Sequence, residues 1–286
     1  MFQFKIGAMV DSFRLPIPEG VRKAHEIGAD GIQVYVTSGE MAAENMDAQK
    51  RADFRKLVAD NQLVISALCG DLGGAGFMLA NENEDKIRRS QAIVDLAVDL
   101  GTNVVTTHIG HVPGSNDHPC YKNQLLVCRI LGEYAAKRGV TFAIETGPET
   151  ALRLREFLDD VGSEGIGVNM DPANLVMVQN DDPVQAVHTL GKYIVHTHAK
   201  DGLHLSDFDP LTVYGTPGTT PVDPARWGEL FREVPLGEGA VAWDAYLAAL
   251  AQEGFHGFLT IEREVGDNPE ADIRLAANFL RNKIQA

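Results

Sequence analysis

The sequence has few cysteines, no excess of basic residues and no long apolar run. Its three cysteines, Cys69, Cys120 and Cys128, are odd in number and lack C-x-x-C spacing, which argues against a disulfide framework and favours a reducing compartment. No apolar run approaches the roughly 18 residues of a membrane-spanning helix. Asp11 interrupts the N-terminal stretch too early for a signal-peptide core. We therefore expect a cytoplasmic protein that does not bind a membrane.

Basic residues are the scarcer charge. Forty acidic against 25 basic residues give a formal charge of −15, which repels nucleic acid and anionic lipid unless a basic patch overrides it. We find no such patch and expect no nucleic-acid partner. The 44% hydrophobic content of the 286 residues is ample for one core. This length suits a single α/β barrel of roughly 250 residues plus insertions, so residues 1–286 are predicted to form one domain.

Short β-rich runs alternate with segments of helical periodicity along the chain. This alternation predicts a parallel sheet, and a count of eight favours closure into a (β/α)8 TIM barrel. Helices are predicted near residues 18–27, 47–60, 84–100, 122–138, 150–161, 183–190 and 269–283, with a further helix after Trp243. The eight predicted strands are 6–10, 31–36, 63–69, 103–108, 140–145, 167–171, 193–198 and 257–262.

One long segment, residues 202–239, separates the seventh strand from its helix and is rich in Pro, Gly and Thr. Long connections inside a compact domain are usually binding loops or lids, so we expect this loop between the seventh strand and its helix to cover the functional site. The glycine-rich stretch after Cys69 lacks the spacing of a phosphate-binding loop. We interpret it as a mobile loop at the rim.

Four metal-ligand side chains end or closely follow strands five to eight. They are Glu145 in F-A-I-E, Asp171 in V-N-M-D, His198 in I-V-H-T-H and Glu262 in L-T-I-E. The carboxyl ends of barrel strands meet at one face, where neighbouring strands are about 4.8 Å apart. Three carboxylates and one imidazole suit one divalent ion, Mn²⁺, Mg²⁺, Co²⁺ or Zn²⁺, with positions left for substrate oxygens. Asp171 precedes Pro172 and is also a candidate helix N-cap.

Other polar residues are predicted around this ion. His108 ends strand four and is expected to bind a substrate hydroxyl, to relay a proton or to form a plain hydrogen bond at the rim. His196 shares the inward side of strand seven with His198 and is expected to support it or contact substrate. Lys200 is expected either to pair with Asp201 or to meet an anionic group.

The motifs I-E-T-G, V-N-M-D, H-T-H-A-K-D-G and T-I-E, with P-L-G-E-G before the seventh helix, resemble the sugar-phosphate isomerase/epimerase superfamily. Its members have a xylose-isomerase-like TIM barrel, the AP-endonuclease-2-type domain, and the resemblance covers essentially the whole chain. Asn174 stands where ketose 3-epimerases commonly have histidine, which weakens that branch. Asn174 and the acidic balance also count against the endonuclease IV branch.

The resemblance implies a metal-dependent isomerase or epimerase of a small keto-sugar or sugar phosphate. Glu145 and Glu262 would then be base and acid on opposite faces of the substrate, with a metal-stabilised enediolate between the two proton transfers. Mn²⁺ is the favoured ion. The predicted substrate contacts are His108, His196, Lys200, Asn174 and Arg263.

The sequence leaves two alternative functions open. An inosose-dehydratase-like lyase acting on a keto-inositol or keto-sugar would use His108 to protonate the departing hydroxyl. A non-catalytic sugar-binding protein would keep the cavity without needing two opposed carboxylates. The presence of a phosphate on the substrate depends on how Lys200, Arg226, Arg232 and Arg263 are placed, and a homo-oligomer is compatible with the resemblance.

Overall fold

A computed structural model describes residues 2–214 and 216–285. Eight parallel strands close into a barrel in the order β1-β10-β7-β6-β5-β4-β3-β2, which confirms the predicted TIM barrel. Because helices cover the outside, both faces of each strand are buried and the strands read as nearly continuous apolar runs. The barrel strands are β1 (Lys5–Met9), β2 (Gly31–Tyr35), β3 (Val64–Cys69), β4 (Val104–Thr107), β5 (Thr141–Glu145), β6 (Ile166–Met170), β7 (Ile194–Ala199) and β10 (Phe258–Ile261).

Within residues 2–214 and 216–285, ten α-helices form, and several begin or end at local sequence signals. Asp47 and Thr150 cap their helices by accepting hydrogen bonds from the backbone N–H groups of Lys50 and Arg153, and Gly162 ends a helix in the left-handed conformation. None of the described helices combines the length and apolarity that crossing a membrane requires. The helices are α1 (Ile17–Glu26), α2 (Ala48–Asp60), α3 (Asn83–Leu100), α4 (Pro119–Ala136), α5 (Ala151–Val161), α6 (Pro172–Asn174), α7 (Pro183–Leu190), α8 (Trp227–Leu230), α9 (Trp243–Gln252) and α10 (Pro269–Gln285).

The long segment after β7, which we call the insert (residues 202–239), is more regular than the sequence predicted. Together with Asp201 it forms an antiparallel hairpin of β8 (Asp201–His204) and β9 (Phe231–Val234), with α8 and two short 3₁₀ turns between the strands. Phe208, Tyr214 and Phe231 pack onto a small apolar cluster formed by Ala173, Met177 and Val178. This cluster is separate from the main core and seats the insert over the carboxyl end of the barrel.

The glycine-rich turn after β3 is pinned and does not extend freely from the rim. Gly76 has a φ of +55°, and a Cβ there would lie 2.0 Å from the carbonyl carbon of Ile109. The backbone N–H of Phe77 also donates to the Ile109 carbonyl at 2.9 Å. The turn therefore packs directly against the loop that follows β4, and only glycine permits that approach.

Candidate metal centre

Adjacent strands bring the four predicted ligand residues together at the carboxyl end of the barrel. Glu145 ends β5, Asp171 follows β6, His198 lies near the end of β7 and Glu262 follows β10. One ligand atom from each residue lies within 4.8 Å of every other, and all four side chains are buried. Octahedral ligands at about 2.1 Å from an ion are about 3.0 Å apart when adjacent and about 4.2 Å when opposite. The cluster therefore has the size of a divalent-ion site.

The imidazole of His198 is the centre of this cluster. Its Nδ1 atom lies 3.2 Å from Glu262, 3.5 Å from Asp171 and 3.6 Å from Glu145, while Nε2 lies 3.2 Å from the side-chain oxygen Oε1 of Gln33. With its proton on Nε2, the ring would donate to Gln33 and leave the Nδ1 lone pair for a cation held among the three carboxylates. Although burial lowers the pKa of His198, Glu262 and Glu145 raise it well above its usual value.

Two buried atoms of the cluster lack hydrogen-bond partners among the described residues. They are Nδ1 of His198 and Oδ2 of Asp171, although buried polar atoms are nearly always paired. The other carboxyl oxygen of Asp171 accepts from the Asn174 backbone N–H at 2.9 Å, so Asp171 is both a helix cap and a free acceptor. An unsatisfied imidazole nitrogen and carboxylate oxygen that converge on one point fit a hard or borderline divalent cation.

A buried polar network holds the ligands in position. Asn169 and Asn174 donate through their side-chain amides to the two oxygens of Glu145, each at 3.0 Å. Gln33 donates to Thr106 at 2.8 Å and lies beside both His196 and His198. Sequence reasoning missed Gln33 and Asn169. Their signal was an amide residue inside an otherwise apolar strand, in G-I-Q-V-Y and G-V-N-M.

His196 belongs to the network beneath the site. Its Nε2 atom lies 3.0 Å from the side-chain oxygen Oε1 of Gln33 and 2.9 Å from the Thr260 hydroxyl. Burial, and less strongly His198, lower the pKa of His196 to about 3. It is a neutral, buried ring that reaches His198 through Gln33. Of the two roles predicted for His196 from the sequence, support of His198 or contact with substrate, this position fits the first.

Two cationic side chains contact the carboxylates from above. His108 is 31% exposed, with Nε2 3.6 Å from Glu145 and Nδ1 3.3 Å from Asp71. Lys200 is buried, and its ammonium group lies 3.1 Å from Glu262 and also bonds to Glu264. Burial lowers the pKa of each base, but the neighbouring carboxylates raise both above their usual values. Glu145 and Glu262 thus each have a basic side chain beside them at the cavity, His108 and Lys200 respectively.

Neither Lys200 nor Arg263 is left free for an anion. Lys200 is occupied by the glutamates and does not pair with Asp201. Instead, Asp201 accepts hydrogen bonds from the backbone of the insert and from the Trp243 indole at 2.9 Å. Arg263 donates to Glu233 at 2.6 Å and to Asp272 at 2.8 Å, which ties β9 to the segment after β10. A substrate contact by Arg263 stays a prediction.

A cavity of about 520 Å³ opens above the cluster. Glu145, Glu262, His108, Lys200 and Asn174 line its polar end. The rest is lined by residues of the insert together with Tyr35, Met177, Val178, Glu264 and Val265. Asp171 and His198 are not among the lining residues. Of the four residues of the candidate metal centre, therefore, only Glu145 and Glu262 also line the cavity.

These features define an α/β barrel with a buried carboxylate–imidazole centre at the carboxyl end of its strands. A family model described as the xylose isomerase-like TIM barrel matches residues 21–283, and the chain belongs to that family. The resemblance inferred from the sequence motifs is thereby confirmed. Among curated proteins, the uncharacterized protein YfiH of Bacillus subtilis is 31% identical over 142 residues, which is 48% of this chain and 42% of YfiH.

Solved structures share the fold at low sequence identity. A xylose isomerase domain protein from Planctomyces limnophilus has a TM-score of 0.77 at 24% identity, over 99% of this chain and 96% of that one. The probable 3-DHS dehydratase AsbF of Bacillus anthracis gives 0.74 at 22%, over 98% and 99%. A D-psicose 3-epimerase gives 0.74 at 16%, over 99% and 100%. These likenesses extend over whole chains and describe the architecture.

Proposed function

We propose that this protein is a metal-dependent isomerase or epimerase of a small keto-sugar or sugar phosphate, working by proton transfer through an enediolate. The observation that carries the proposal is that Glu145 and Glu262 alone of the four cluster residues also line the cavity. Membership of the xylose isomerase-like family and the structural likeness to a D-psicose 3-epimerase support it.

The residues that would hold the ion are Glu145, Asp171, His198 and Glu262. Mn²⁺ is favoured, and Mg²⁺, Co²⁺ and Zn²⁺ are alternatives. When bound, the ion supplies Lewis-acid polarisation of a substrate carbonyl. Gln33 and Asn169 would keep His198 and Glu145 oriented, as second partners of metal ligands generally do.

Proton transfer is assigned to the two glutamates. They project from β5 and β10, which are separated in the barrel by β6 and β7, and so they approach the cavity from different sides. One glutamate, ionised, removes the proton beside the carbonyl and becomes protonated, and the other, in its protonated form, gives its proton to the opposite face or to the adjacent carbon. His108 beside Glu145 and Lys200 beside Glu262 would stabilise the ionised form of whichever glutamate acts as the base, and His108 would donate a hydrogen bond to a substrate oxygen.

The test is solvent-deuterium exchange into candidate ketoses, their phosphates and inososes in D₂O with Mn²⁺. We expect deuterium at a carbon beside the carbonyl with the parent protein. Glu145→Gln and Glu262→Gln should each lower exchange by a factor of about 100 to 10,000. Exposed Glu238 offers a matched control, and Glu238→Gln should leave exchange unchanged. Full exchange in both variants would refute the assignment.

A dehydratase-like lyase is the second candidate, and the placement of His108 supports it. Its Nδ1 atom faces Asp71, which orients the ring so that Nε2 lies toward Glu145 in the cavity. An imidazolium there would protonate a departing β-hydroxyl of a keto-inositol or keto-sugar. Mass spectrometry of the same reactions separates the candidates, because a lyase releases water and an epimerase conserves substrate mass. Sugar binding without catalysis predicts no exchange in any variant.

A further inference from the structure

The cavity has a polar end and an apolar wall. The polar end contains Glu145 and Glu262, the two glutamates of the candidate metal centre. The opposite wall comes from two segments, the turn that follows α6 and the insert. Its apolar and aromatic members are Met177, Val178, Val213, Tyr214, Trp227 and Phe231. Such a wall provides few hydrogen-bond partners for sugar hydroxyls, but it can bury the apolar surface of a ligand.

Trp227 is the exposed end of an aromatic row within the insert. Its ring lies 6.0 Å from Phe231, Phe231 lies 5.8 Å from Phe208, and Phe208 stacks on His204 at 5.5 Å. This backing fixes the orientation of the indole, yet Trp227 remains 36% exposed at the cavity. A rigid aromatic face that is left open to water at a cavity is a surface prepared for an apolar or planar group.

The cavity is larger than a free hexose requires. A water molecule's share of the liquid is about 30 Å³, so the twelve heavy atoms of a hexose occupy at most about 360 Å³ even at that loose packing. The cavity measures about 520 Å³. Once the sugar ring lies at the polar end, space remains beside the aromatic wall for a further group of several heavy atoms.

The charges around the cavity disfavour a phosphate as that group. Four carboxylates line it, on Glu145, Glu233, Glu262 and Glu264, and the lining ammonium of Lys200 is bonded to two of them. Arg232 is the lining guanidinium, and it lies exposed on the hairpin. His108, the other cationic side chain of the lining, lies between Glu145 and Asp71. Among the described lining residues, a phosphate carrying about −1.5 to −2 charges would therefore have only exposed Arg232 as a cation that is not already beside carboxylates. A neutral substituent needs no such partner.

We propose that the substrate is an unphosphorylated keto-sugar bearing an apolar or aromatic substituent, of the kind found in an aryl or alkyl keto-glycoside. The carbonyl and its neighbouring hydroxyl lie at Glu145 and Glu262, and the substituent packs against Trp227 and Phe231. This inference rests on the proposed isomerase or epimerase function and specifies its substrate class.

The experiment compares four compounds built on one hexose that carries its ketone away from the anomeric carbon, so that a glycoside keeps the carbonyl, namely its phenyl glycoside, its methyl glycoside, the free sugar and its phosphate ester. Exchange in D₂O with Mn²⁺ gives kcat/KM for each. We expect the phenyl glycoside to exceed the methyl glycoside by at least about tenfold, as pocket burial of a few carbon atoms does, and the phosphate ester to rank last. Equal values for the two glycosides, or a preference for the phosphate ester, would overturn the proposal.

Variants of the insert locate the effect. Trp227→Ala should bring the phenyl-to-methyl ratio close to one, whereas Trp227→Phe should retain most of it. Leu205 is a matched control, since it is exposed on the same insert and lies outside the cavity lining, and Leu205→Ala should keep the parent ratio. A ratio that survives in folded Trp227→Ala, as judged by circular dichroism, would also contradict the proposal.

Calorimetric titration with the two glycosides separates this inference from the proposed function. If none of the four compounds exchanges deuterium but the phenyl glycoside still binds at least tenfold tighter in a Trp227-dependent manner, the catalytic proposal fails and the apolar site stands. If exchange occurs without any phenyl preference in kcat/KM or binding, the catalytic proposal stands and the substituent site is wrong.

Discussion

Glu149 is a buried carboxyl group near the site whose protonation should set the pH dependence of stability. It is 4% exposed, and one oxygen accepts from the Val112 backbone N–H at 3.1 Å. Burial raises the pKa of Glu149 from 4.5 to about 7, although the Val112 hydrogen bond opposes the shift. The folded state therefore holds a proton that the unfolded chain releases between about pH 4.5 and 7. Unfolding free energy falls with rising pH across that window.

The expected magnitude follows from the two pKa values. With 1.36 kcal/mol per pKa unit, the shift costs about 0.8 kcal/mol at pH 5 and about 3.3 kcal/mol at pH 8. Glu149→Gln keeps an acceptor for Val112 and removes the titration. Relative to the parent protein, the variant should gain about 2.5 kcal/mol of unfolding free energy between pH 5 and pH 8.

The measurement is urea denaturation followed by far-UV circular dichroism at both pH values, with a chelator present so that bound metal does not add stability. The exposed control Glu238→Gln should track the parent protein within about 0.5 kcal/mol. The reasoning would be refuted if the unfolding free energies of the parent and Glu149→Gln proteins changed in parallel from pH 5 to pH 8. Glu149 would then have the same pKa in the folded and unfolded states.

Two further predictions concern the metal-type centre and the turn after β3. His198→Ala should weaken Mn²⁺ binding by at least about 100-fold in calorimetric titration, while the exposed control His256→Ala should bind normally, and equal binding by both would contradict the ligand set. Gly76→Ala should lower the unfolding free energy by more than about 3 kcal/mol, because its Cβ would overlap the Ile109 backbone. Gly73 has a similar positive φ but open space, so Gly73→Ala should cost about 1 kcal/mol, and equal thermal shifts would show that the packing at Gly76 is unimportant.

The positions of the four cluster residues followed from the sequence because parallel strands of a barrel end at one face. Once β5, β6, β7 and β10 are recognised as apolar runs, the polar residue at each carboxyl end has only one place to point. Spatial convergence of Glu145, Asp171, His198 and Glu262 therefore needs no contact information beyond strand order. Their assignment as metal ligands stays a prediction.

The supporting residues were not predictable in the same way. Gln33 lies on β2, far from His198 in the sequence, and no spacing pattern relates the two residues. Asp71 lies in a glycine-rich turn whose path depends on the close approach of Gly76 to the loop after β4. Likewise the hairpin of the insert was hidden, because β8 and β9 are only four residues each and 26 residues of Pro- and Gly-rich chain separate them.

Lys200 and Asp201 show how the barrel could keep its chemistry while the insert changes its specificity. The Lys200 side chain reaches into the cluster at Glu262, whereas Asp201 accepts hydrogen bonds from Gly237 and Trp243, where the insert ends. The ion pair between Glu233 on β9 and Arg263 after β10 also attaches the insert to the barrel. Because the insert is tied down at its two ends, substitutions between them alter the aromatic wall without displacing the carboxylates. For the proposed substrate class, Trp227 and its neighbours would therefore determine which substituent is accepted, and the residues at the strand ends would determine the reaction.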